Sequence, residues 1–489
     1  MQIGSMIRRA ALQFGSAPCL TEGGRTLSFA DFDAATDRVG NALLDRGVRP
    51  GDRVSVLLPN SIECLIVYYA LAKAGLIRVQ LNVRETLANH VYKIADSGSR
   101  AVIHDDIEGV DAEILIGRDE LSRMLEEGRS GACIVDRGLE DPLRFGYTGG
   151  TTGKSKAVIL TTRGELAEIS AFLTDLVPQI RSGDVFLHAA PIAHASGAFF
   201  LPALVRGAHA IVMRKFDAAE FLTLAETSRA GFTFLVPTMI AMLLEAPSID
   251  SANLSFQRIA YGAASIAPAL MKRAETRFGR IFAQCYGQAE SPMCITCLQP
   301  EDHDREASCG RPFTIVEVAI WDENDRPLPP GERGEIVCRG PQMMSGYWNR
   351  PEQTAEAFRN GWLHTGDIGV MDEDGYFYIV DRKNDLLISG GYNVYPREVE
   401  DVLMAFPDVI EAAVVGLPDE KWGDRVVAVV TGRPGLSADA LMQFARANLS
   451  PFKQPKAIEI WPELPKSAAN KILRRTVRDH LVGQAASGR

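Results

Sequence analysis

Short apolar runs alternate with amphipathic stretches along the first half of the chain. Runs such as DRVSVLLP and IRVQLN predict buried strands, and stretches such as ECLIVYYALAKAG predict helices. A second set of the same kind follows, with DVFLHAAP, GAHAIVM, GFTFLVP and RIAYGAA as candidate strands. Because strands that alternate with helices usually form parallel sheets covered by helices, this pattern predicts layered α/β structure.

The pattern changes between about residues 310 and 380, where segments such as IVEVAIWD and GYFYIVD are separated by Gly, Pro and Asp turns. These segments predict a small barrel or an antiparallel sheet. Helices and strands alternate again after Asp381, where Pro396 suits the first turn of a helix and Ser437 an N-cap. The predicted fold class is α/β, with a large N-terminal domain of two layered α/β subdomains plus a β-rich subdomain, and a small C-terminal α+β domain.

Composition and charge limit the classes of function. With 489 residues, 46% of them apolar and 23% charged, the chain has the composition of a soluble globular protein of more than one domain. Its formal charge of −10 argues against capture of nucleic acid or anionic lipid over a broad surface. The apolar run at residues 64–72 is too short to cross a membrane, which takes about 20 residues. We therefore expect no transmembrane segment and no nucleic-acid partner.

Two further features predict a cytoplasmic protein. The start of the chain, MQIGSMIRRAALQFG, has no continuous apolar stretch after its two arginines and predicts an amphipathic helix instead of a secretion signal. The eight cysteines are scattered, which is typical of reduced thiols and not of a disulfide framework. Cys294 and Cys297 have CxxC spacing, but the sequence has no second pair at zinc-ligand spacing, so we interpret them as packing residues.

The stretch with the clearest chemistry is Tyr147-Thr-Gly-Gly-Thr-Thr-Gly-Lys-Ser-Lys156. Its glycines let backbone N–H groups approach a ligand closely, and its hydroxyls and ammonium groups can bind the oxygens of a polyphosphate. A P-loop would need glycine at Thr148 and would open a helix, whereas this loop leads into the strand-like AVIL. The sequence therefore predicts a different nucleotide-binding loop, with a plain glycine-rich surface loop as the alternative.

From Thr148 to Lys156 this loop resembles, position by position, that of the adenylate-forming enzymes, a superfamily that includes acyl-CoA synthetases, luciferases and the adenylation domains of peptide synthetases. Four more stretches resemble the superfamily in the right order: Tyr286-Gly-Gln-Ala-Glu290, Trp362-Leu-His-Thr-Gly-Asp367, Asp381-Arg-Lys-Asn-Asp-Leu-Leu-Ile-Ser-Gly-Gly391 and Pro465-Lys-Ser-Ala-Ala-Asn-Lys-Ile472. The resemblance spans nearly the whole chain. It is closest in type to a carboxylate–CoA ligase.

The resemblance implies ATP, Mg²⁺ and coenzyme A as the bound molecules and a small carboxylic acid as the substrate. Lys156 would be catalytic, and Glu290 and Thr148 would hold Mg²⁺. Tyr286 would stack on adenine, while Asp367 would accept hydrogen bonds from the ribose hydroxyls. The predicted nucleotide-binding residues are Thr148, Gly149, Gly150, Thr151, Thr152, Gly153, Gly262, Ala263, Ala264, Tyr286, Gly287, Gln288, Asp367 and Arg382.

Members of the superfamily perform adenylation and thioester formation with different positions of the small domain. The resemblance places the hinge at residues 381–385, so the predicted domains are residues 1–381 and a mobile domain of residues 382–489. Lys471 matches the lysine that reaches the α-phosphate and the carboxylate during adenylation. In the second step Ser389, Gly390 and Gly391 would replace it, because paired glycines let the backbone lie close to a thin pantetheine arm. A plain turn is the alternative for this glycine segment.

Three positions depart from the superfamily's pattern. Ala289 stands where threonine is common, so a hydroxyl near the phosphates is missing or is supplied by Gln288 or a loop threonine. Asn470 stands where glycine usually precedes the mobile lysine, and asparagine also tolerates left-handed backbone geometry. Asn384 stands at the hinge where Asp or Lys is common. We expect the reaction type to survive these changes.

The acid pocket is predicted around PIAHASGAFFLPAL, FLVPTMIAM and YGAAS. By resemblance His194 is a catalytic-site gate beside the substrate carboxylate, with a structural histidine as the alternative. The segment AHASGAFF lacks the acidic residue with which amino-acid-activating relatives pair the substrate ammonium, so an amino acid is disfavoured. Nearby apolar residues indicate either a cavity for an aromatic, alicyclic or fatty acid or ordinary core: Phe199, Phe200, Met239, Met242 and Met293.

Two other functions remain open at this point. One is an acyl-adenylate ligase that loads a carrier protein. The carrier would be a separate protein, because the 18 residues after Lys471 contain no carrier-type serine motif. The other is a non-catalytic ATP-binding relative, which Lys471 argues against because simple ATP binding does not need that lysine. For the oligomeric state, monomer and homodimer are both open.

Overall fold

A computed structural model of the chain describes residues 2–148, 154–419, 422–466 and 472–487. The helices are α1 (Ile3–Phe14), α2 (Phe29–Asp45), α3 (Ile62–Lys73), α4 (Leu87–Ser97), α5 (Arg118–Glu127), α6 (Thr162–Ala171), α7 (Ala195–Ala198), α8 (Phe200–Val205), α9 (Ala218–Thr227), α10 (Pro237–Leu244), α11 (Pro268–Phe278), α12 (Pro351–Ala357), α13 (Pro396–Met404), α14 (Ala438–Asn448) and α15 (Arg474–Ser487). None of these described helices is long and apolar enough to pass through a membrane.

The strands follow the same chain order. They are β1 (Pro18–Glu22), β2 (Arg25–Ser28), β3 (Arg53–Leu57), β4 (Ile77–Gln80), β5 (Ala101–His104), β6 (Ile114–Ile116), β7 (Pro142–Tyr147), β8 (Ala157–Thr161), β9 (Val185–His188), β10 (His209–Val212), β11 (Phe232–Leu235), β12 (Arg258–Gly262), β13 (Phe282–Gln288), β14 (Ser291–Leu298), β15 (Ser308–Pro312), β16 (Glu317–Trp321), β17 (Arg333–Arg339), β18 (Gly346–Tyr347), β19 (Phe358–Arg359), β20 (Trp362–Met371), β21 (Phe377–Arg382), β22 (Leu387–Ser389), β23 (Tyr392–Val394), β24 (Val409–Asp419), β25 (Gly423–Gly432) and β26 (Ala457–Ile460).

The described residues form two compact units. The first consists of residues 2–148, 154–318 and 338–363, and the second of residues 319–337, 364–419, 422–466 and 472–487. The predicted domains, residues 1–381 and 382–489, are divided at the predicted hinge, and this division stays a prediction.

The first unit contains two sheets built mainly from parallel strands. In one sheet β13, β12, β11, β9, β10 and β1 lie side by side and parallel, with antiparallel β14 and β15 at one end and β2 at the other. In the other sheet β7, β4, β3, β5 and β6 are parallel, while β8 lies antiparallel beside β7 and β18 lies antiparallel on the other side of β8. The predicted α/β layers are therefore confirmed.

The second unit contains an antiparallel segment and a separate α+β segment. β20 and β21 pair antiparallel, as the alternating sequence predicts. In the last part of the chain, alternate residues of β24 face opposite sides, because Val414 packs in a cluster with Val399 and Leu441, whereas Val415 packs in one with Val477 and Leu481. Helices α13 and α14 thus cover one face of this sheet and α15 the other.

Local signals at two helix starts are confirmed. Pro396 occupies the first turn of α13, and the Ser437 hydroxyl accepts a hydrogen bond from the backbone N–H of Ala440 at 3.4 Å, capping α14.

The cysteines are core residues. All eight are buried free thiols, and burial raises the pKa of the thiols of Cys64 and Cys285, each to about 12. Cys294 and Cys297 lie on β14 inside the core of the first unit. The described part of the chain holds no cluster of three His, Cys, Asp or Glu side chains that could bind a metal ion. The burial of Cys294 and Cys297 in this core confirms the packing interpretation of the CxxC pair.

A buried ionic network joins β7 to α6 in the first unit. The Arg144 guanidinium donates to the Glu165 carboxylate and to a carboxyl oxygen of Glu168, each at 2.8 Å. All three side chains are largely inaccessible, with 13%, 11% and 4% exposed. Burial, together with repulsion from Glu165, raises the pKa of Glu168 to about 8 even though Arg144 opposes the shift. The network thus holds one carboxyl group that stays protonated near neutral pH.

Replacing Glu168 with glutamine should flatten the fall in stability between about pH 6 and about pH 9. An acid whose pKa is higher in the folded state stabilises the fold below its unfolded pKa, and this stability is lost as the pH rises through the folded pKa. In the native chain the loss is at most about 1.4 kcal/mol per pH unit in this window. Urea unfolding midpoints at the two pH values measure it.

The matched control is Glu165→Gln in the same network. The pKa of Glu165 is lowered, because Arg144 and Arg78 outweigh the opposing effect of its burial, so losing its charge should destabilise the fold at both pH values. A Glu168→Gln midpoint that falls with pH as steeply as that of the native chain would contradict the assignment.

Candidate active site

The predicted nucleotide loop connects two antiparallel strands. Tyr147 on β7 pairs with Ala157 on β8. At the base of the loop Thr148 N–H donates to Lys156 O at 3.0 Å, and Lys156 N–H donates to the Thr148 hydroxyl at 3.1 Å. Residues 149–153, which carry the predictions for Gly149, Gly150, Thr151, Thr152 and Gly153, lie outside the described residues. The expectation that the loop leads into a strand and not a helix is confirmed.

Lys156 and Glu290 contact the same tyrosine. The Lys156 ammonium lies 4.2 Å from the centroid of the Tyr347 ring, and the Tyr347 hydroxyl donates to Glu290 Oε1 at 2.6 Å. Burial and the neighbouring Glu290 carboxylate keep the pKa of Tyr347 well above its usual range, so it stays a hydrogen-bond donor. Two predicted site residues from distant stretches are therefore brought together, with Thr148 at the base of the same loop.

The predicted purine-binding stretches meet at the ends of two neighbouring parallel strands. Gly262 ends β12 and lies opposite Cys285 on β13, which continues through Tyr286, Gly287 and Gln288. A Cβ atom at Gly262 would lie 2.5 Å from Cys285 O, and one at Gly287 would lie 2.3 Å from Met293 N, so both positions require glycine.

These strand ends have the position expected of a ligand site. The carboxyl ends of parallel strands are where α/β sheets usually bind ligands. Ala263, directly after β12, adopts the left-handed backbone at φ +68°, and Ala264 follows it. Non-glycine residues in that conformation cluster at functional sites. The segments predicted to line the adenine pocket are therefore adjacent, and their contact with adenine stays a prediction.

His194 lies just before α7 and is hydrogen-bonded to a residue that the motifs do not include. Asn82, which follows β4, places its Nδ2 2.7 Å from His194 Nε2, while its Oδ1 accepts from Arg84 N–H at 3.0 Å. Because Oδ1 is the acceptor, Nδ2 is the donor, and His194 Nε2 accepts with its proton on Nδ1. The arrangement fixes both the ring of His194 and its tautomer, and the role of His194 as a gate stays a prediction.

The two phenylalanines of the predicted acid pocket belong to the hydrophobic core. The Phe199 ring lies 4.7 Å from Phe172 and the Phe200 ring 5.3 Å from Phe32, and both residues are fully buried. Met242 is exposed instead, with 52% of its surface accessible. The apolar character of this stretch therefore reflects packing at Phe199 and Phe200, and it does not by itself identify an acid.

The predicted ribose-binding pair forms in the second unit. Asp367 on β20 lies opposite Arg382 on β21, and the Arg382 guanidinium lies 3.1 Å from the Asp367 carboxylate, which is 7% exposed. The part of β20 before Asp367 is fixed by Glu335 on β17, which accepts from Gly366 N–H at 3.0 Å and pairs with His364 Nδ1 at 3.2 Å. Burial alone would raise the pKa of Glu335, but His364 and Lys383 lower it overall. Glu335 therefore holds this part of β20 with a negatively charged carboxylate.

The predicted CoA segment is a tight hairpin turn. Ser389 on β22 pairs with Tyr392 on β23, and both intervening residues are left-handed, Gly390 at φ +60° and Gly391 at φ +83°. This geometry favours glycine at both positions. No atom lies within 4 Å of the position of a Cβ at Gly391. The backbone is that of a plain turn, with open space beside Gly391. The role of this turn in thiol binding stays a prediction.

The structure describes the predicted hinge segment but not Lys471. Residues 383–385, including Asn384, form a short 3₁₀ turn between β21 and β22. Lys471 and Asn470 lie outside the described residues, and the flanking Lys466 and Ile472 form a β-bridge.

Two family profiles match the chain. The AMP-binding enzyme family matches residues 7–348, and the AMP-binding enzyme C-terminal domain matches residues 398–471. The chain belongs to the AMP-binding enzyme family. The resemblance inferred from the five motifs is therefore confirmed.

Relatives of this AMP-binding enzyme align along most of their own length. A medium- and long-chain fatty-acid–CoA ligase of Mycobacterium tuberculosis is 38% identical over 88% of this chain and 82% of its own. A feruloyl-CoA synthase of an Amycolatopsis species is 36% identical over 97% of this chain and 98% of its own. Among solved structures, ATP-bound MatB from Rhodopseudomonas palustris superimposes with a TM-score of 0.91 at 28% identity, covering 98% of this chain and 99% of the other. The predicted fold class is confirmed.

Three residues of this AMP-binding enzyme's candidate site escape sequence reasoning. Tyr347 lies in GYWNR, which looks like a turn, Asn82 follows a strand, and Glu335 lies within a β-rich segment. Their partners are distant in sequence, and Tyr347 is 57 positions from Glu290. A signal was present only at Asn82, an amide at the end of a parallel strand.

Proposed function

We propose that this chain is an ATP-dependent carboxylic acid–CoA ligase. It converts an acid and ATP into an acyl-adenylate and pyrophosphate, and then converts the acyl-adenylate and CoA into an acyl-CoA thioester and AMP. The observation that carries the proposal is the gathering of Lys156 and Glu290 around Tyr347 at the base of the nucleotide loop. In a member of the AMP-binding enzyme family, a cation and a carboxylate held by the same tyrosine support the predicted roles of Lys156 and Glu290 in binding phosphate and Mg²⁺.

The first half-reaction needs charge neutralisation. An oxygen of the substrate carboxylate attacks the α-phosphorus of ATP, and the bond to pyrophosphate breaks. Both reactants are anions, so Lys156, and Lys471 from the C-terminal segment, lower the barrier by stabilising negative charge. Glu290 fits a Mg²⁺ site, since Mg²⁺ typically binds one or two carboxylates together with phosphate oxygens. When bound, Mg²⁺ neutralises phosphate charge, and the Thr148 hydroxyl is the second predicted ligand.

The second half-reaction needs room for a thiol. The CoA sulfur attacks the acyl carbon of the adenylate, a C–S bond forms, and the bond from the acyl carbon to the AMP oxygen breaks. The hairpin turn at Gly390 and Gly391 supports this step because glycines have no side chains and the space beside Gly391 is open to a narrow ligand arm. Ser389 is buried next to this turn, at the end of β22.

The proposed substrate is an apolar acid, either a fatty acid or an aromatic acid of the phenylpropenoic type. Both relatives named above join an acid of one of these classes to CoA, as their names state. The segment that follows His194 carries no acidic side chain with which to bind a substrate ammonium. A cytoplasmic location is also proposed, supported by eight buried cysteines that are free thiols.

Pyrophosphate release from ATP and Mg²⁺ tests the proposal across fatty, benzoic, phenylpropenoic and alicyclic acids, with and without CoA. We expect release that depends on one of these acids, turns over only with CoA and yields AMP, while amino acids as controls remain inert. Release that stalls near one equivalent until a carrier protein is added would favour carrier loading. Silence across the whole panel would overturn the proposal.

A further inference from the structure

Tyr347 contacts two proposed catalytic residues through different parts of its side chain. The ring face receives the Lys156 ammonium, 4.2 Å from its centroid, and the hydroxyl donates to Glu290 Oε1 at 2.6 Å. The residue is 9% exposed. The Lys156 ammonium and the Glu290 carboxylate attract each other, and both are bound by the same tyrosine.

The backbone around Tyr347 is tied to the strand that leaves the nucleotide loop. Tyr347 on β18 pairs with Val158 on β8, and the flanking Ser345 and Trp348 donate their N–H groups to Ile159 O at 3.0 Å and Ala157 O at 2.9 Å. Tyr347 N–H donates to the Thr354 hydroxyl at 2.9 Å. The tyrosine is therefore held in register with Lys156, the residue directly before β8.

The carboxylate side is fixed as well. Glu290 lies in the short turn between β13 and β14, and its backbone O accepts from Met344 N–H at 2.8 Å, three residues before Tyr347. Segment 344–348 therefore binds both the backbone and the side chain of Glu290. A hydrogen bond to one carboxylate oxygen restricts the orientations that the carboxylate can adopt.

We propose that Tyr347 is a positioning residue that orients Glu290 for Mg²⁺ and holds Lys156 on its ring face, so that the two charges do not pair with each other. The inference rests on the proposed function. A direct Lys–Glu ion pair would neutralise both groups and compete with phosphate and metal binding. The tyrosine replaces that pair with one hydrogen bond and one cation–π contact, and neither removes the charge of the bound group.

The test measures metal affinity without turnover. Mn²⁺, a paramagnetic substitute for Mg²⁺, is titrated into the full chain saturated with α,β-methylene-ATP, which cannot transfer its adenylyl group to an acid, and free Mn²⁺ is followed by electron paramagnetic resonance. Tyr347→Phe should raise the Mn²⁺ Kd about tenfold, the scale of one hydrogen bond to a charged group. In a Glu290→Gln background the same change should have little further effect, because the tyrosine acts through that carboxylate.

A second pair of variants tests the separation of charges. Tyr347→Leu removes the ring, so Lys156 can pair with Glu290 and the Kd should rise further than for Tyr347→Phe. Adding Lys156→Met should return the Kd to the Tyr347→Phe level. Tyr378→Phe is the matched control, since it removes a tyrosine hydroxyl that donates to the Asp372 carboxylate at 3.1 Å, and it should leave the Kd unchanged.

The outcomes separate the inference from the function. Tyr347→Phe with native affinity, or effects of Tyr347→Phe and Glu290→Gln that multiply fully, would overturn the positioning role while leaving the ligase proposal intact. Failure of Lys156→Met to restore affinity in the Tyr347→Leu background would overturn the separation of charges. If the native chain itself bound neither α,β-methylene-ATP nor Mn²⁺ with the analogue, the proposed function would fail instead.

Discussion

Replacing Lys471 with alanine is expected to slow acyl-adenylate formation at least about 10²-fold, the scale of losing one key electrostatic donor. The attack of a carboxylate on a polyphosphate brings two anions together, so a lysine at the α-phosphate lowers the barrier of that step. Attack of a thiol on the finished acyl-adenylate does not bring a carboxylate to the phosphate. Thioester formation from supplied acyl-adenylate and CoA should therefore persist.

The two half-reactions are measured separately for this comparison. Acid-dependent exchange of pyrophosphate with ATP reports adenylation, and conversion of synthetic acyl-adenylate with CoA reports the second step. Lys466→Ala is the matched control, because Lys466 lies five positions earlier and its ammonium pairs with the Glu411 carboxylate at 2.7 Å. It should leave both rates near native. Equal losses in both half-reactions for Lys471→Ala would contradict the assigned role.

Replacing Arg474 with alanine is expected to destabilise the second unit by about 3 kcal/mol or more. Its guanidinium binds both oxygens of Glu400, at 2.8 and 2.5 Å, and also pairs with Asp385 at 2.7 Å and Asp381 at 3.2 Å. Glu400 and Asp381 are buried, at 7% and 3% exposure, so losing the arginine leaves buried carboxylates without their cation. Burial already raises the pKa of Glu400, despite Arg474.

Hydrogen–deuterium exchange of peptides from β24 and β25 measures this effect, with peptides from β3 and β5 as an internal reference. Arg475→Ala is the matched control, since Arg475 is 64% exposed and lies 3.8 Å from Asp479, a pair of a kind that contributes little. Arg474→Lys should recover only part of the protection, because lysine cannot form the two-pronged contact with Glu400. Native exchange rates in Arg474→Ala would refute the stabilising role.

Local sequence patterns predict much of the fold because their causes are local. The strand-like AVIL after the nucleotide loop becomes β8, Pro396 begins α13, and Ser437 caps α14. Each depends on backbone geometry or on hydrogen bonds between residues a few positions apart. The pairing of Asp367 with Arg382 is different, because the register of β20 and β21 shifts between Ile368 and Gly369, and regular alternation does not predict such a shift.

Contacts between distant segments decide the rest of the candidate site. The guanidinium of Arg474 reaches partners 74, 89 and 93 positions earlier, and no local pattern encodes such a contact. Phe199 and Phe200 show the opposite limit, since apolar side chains look alike in sequence whether they line a cavity or fill a core. Tyr347 is hard to predict for both reasons, because it is an aromatic residue and its polar partner is distant in sequence.

The buried thiols can report which of the two units of the protein unfolds. All eight cysteines belong to the first unit, and none of residues 319–337 or 364–489 is a cysteine. A thiol-specific dye added to the native chain should therefore react only as the first unit unfolds, since burial keeps these sulfurs inaccessible and mostly protonated. Cys338 lies on β17, whose residues 333–337 belong to the second unit, so the seven other thiols are the ones that should stay unlabelled when loss of structure is confined to the second unit. Labelling kinetics can thus assign a destabilising substitution to one unit without isolating either.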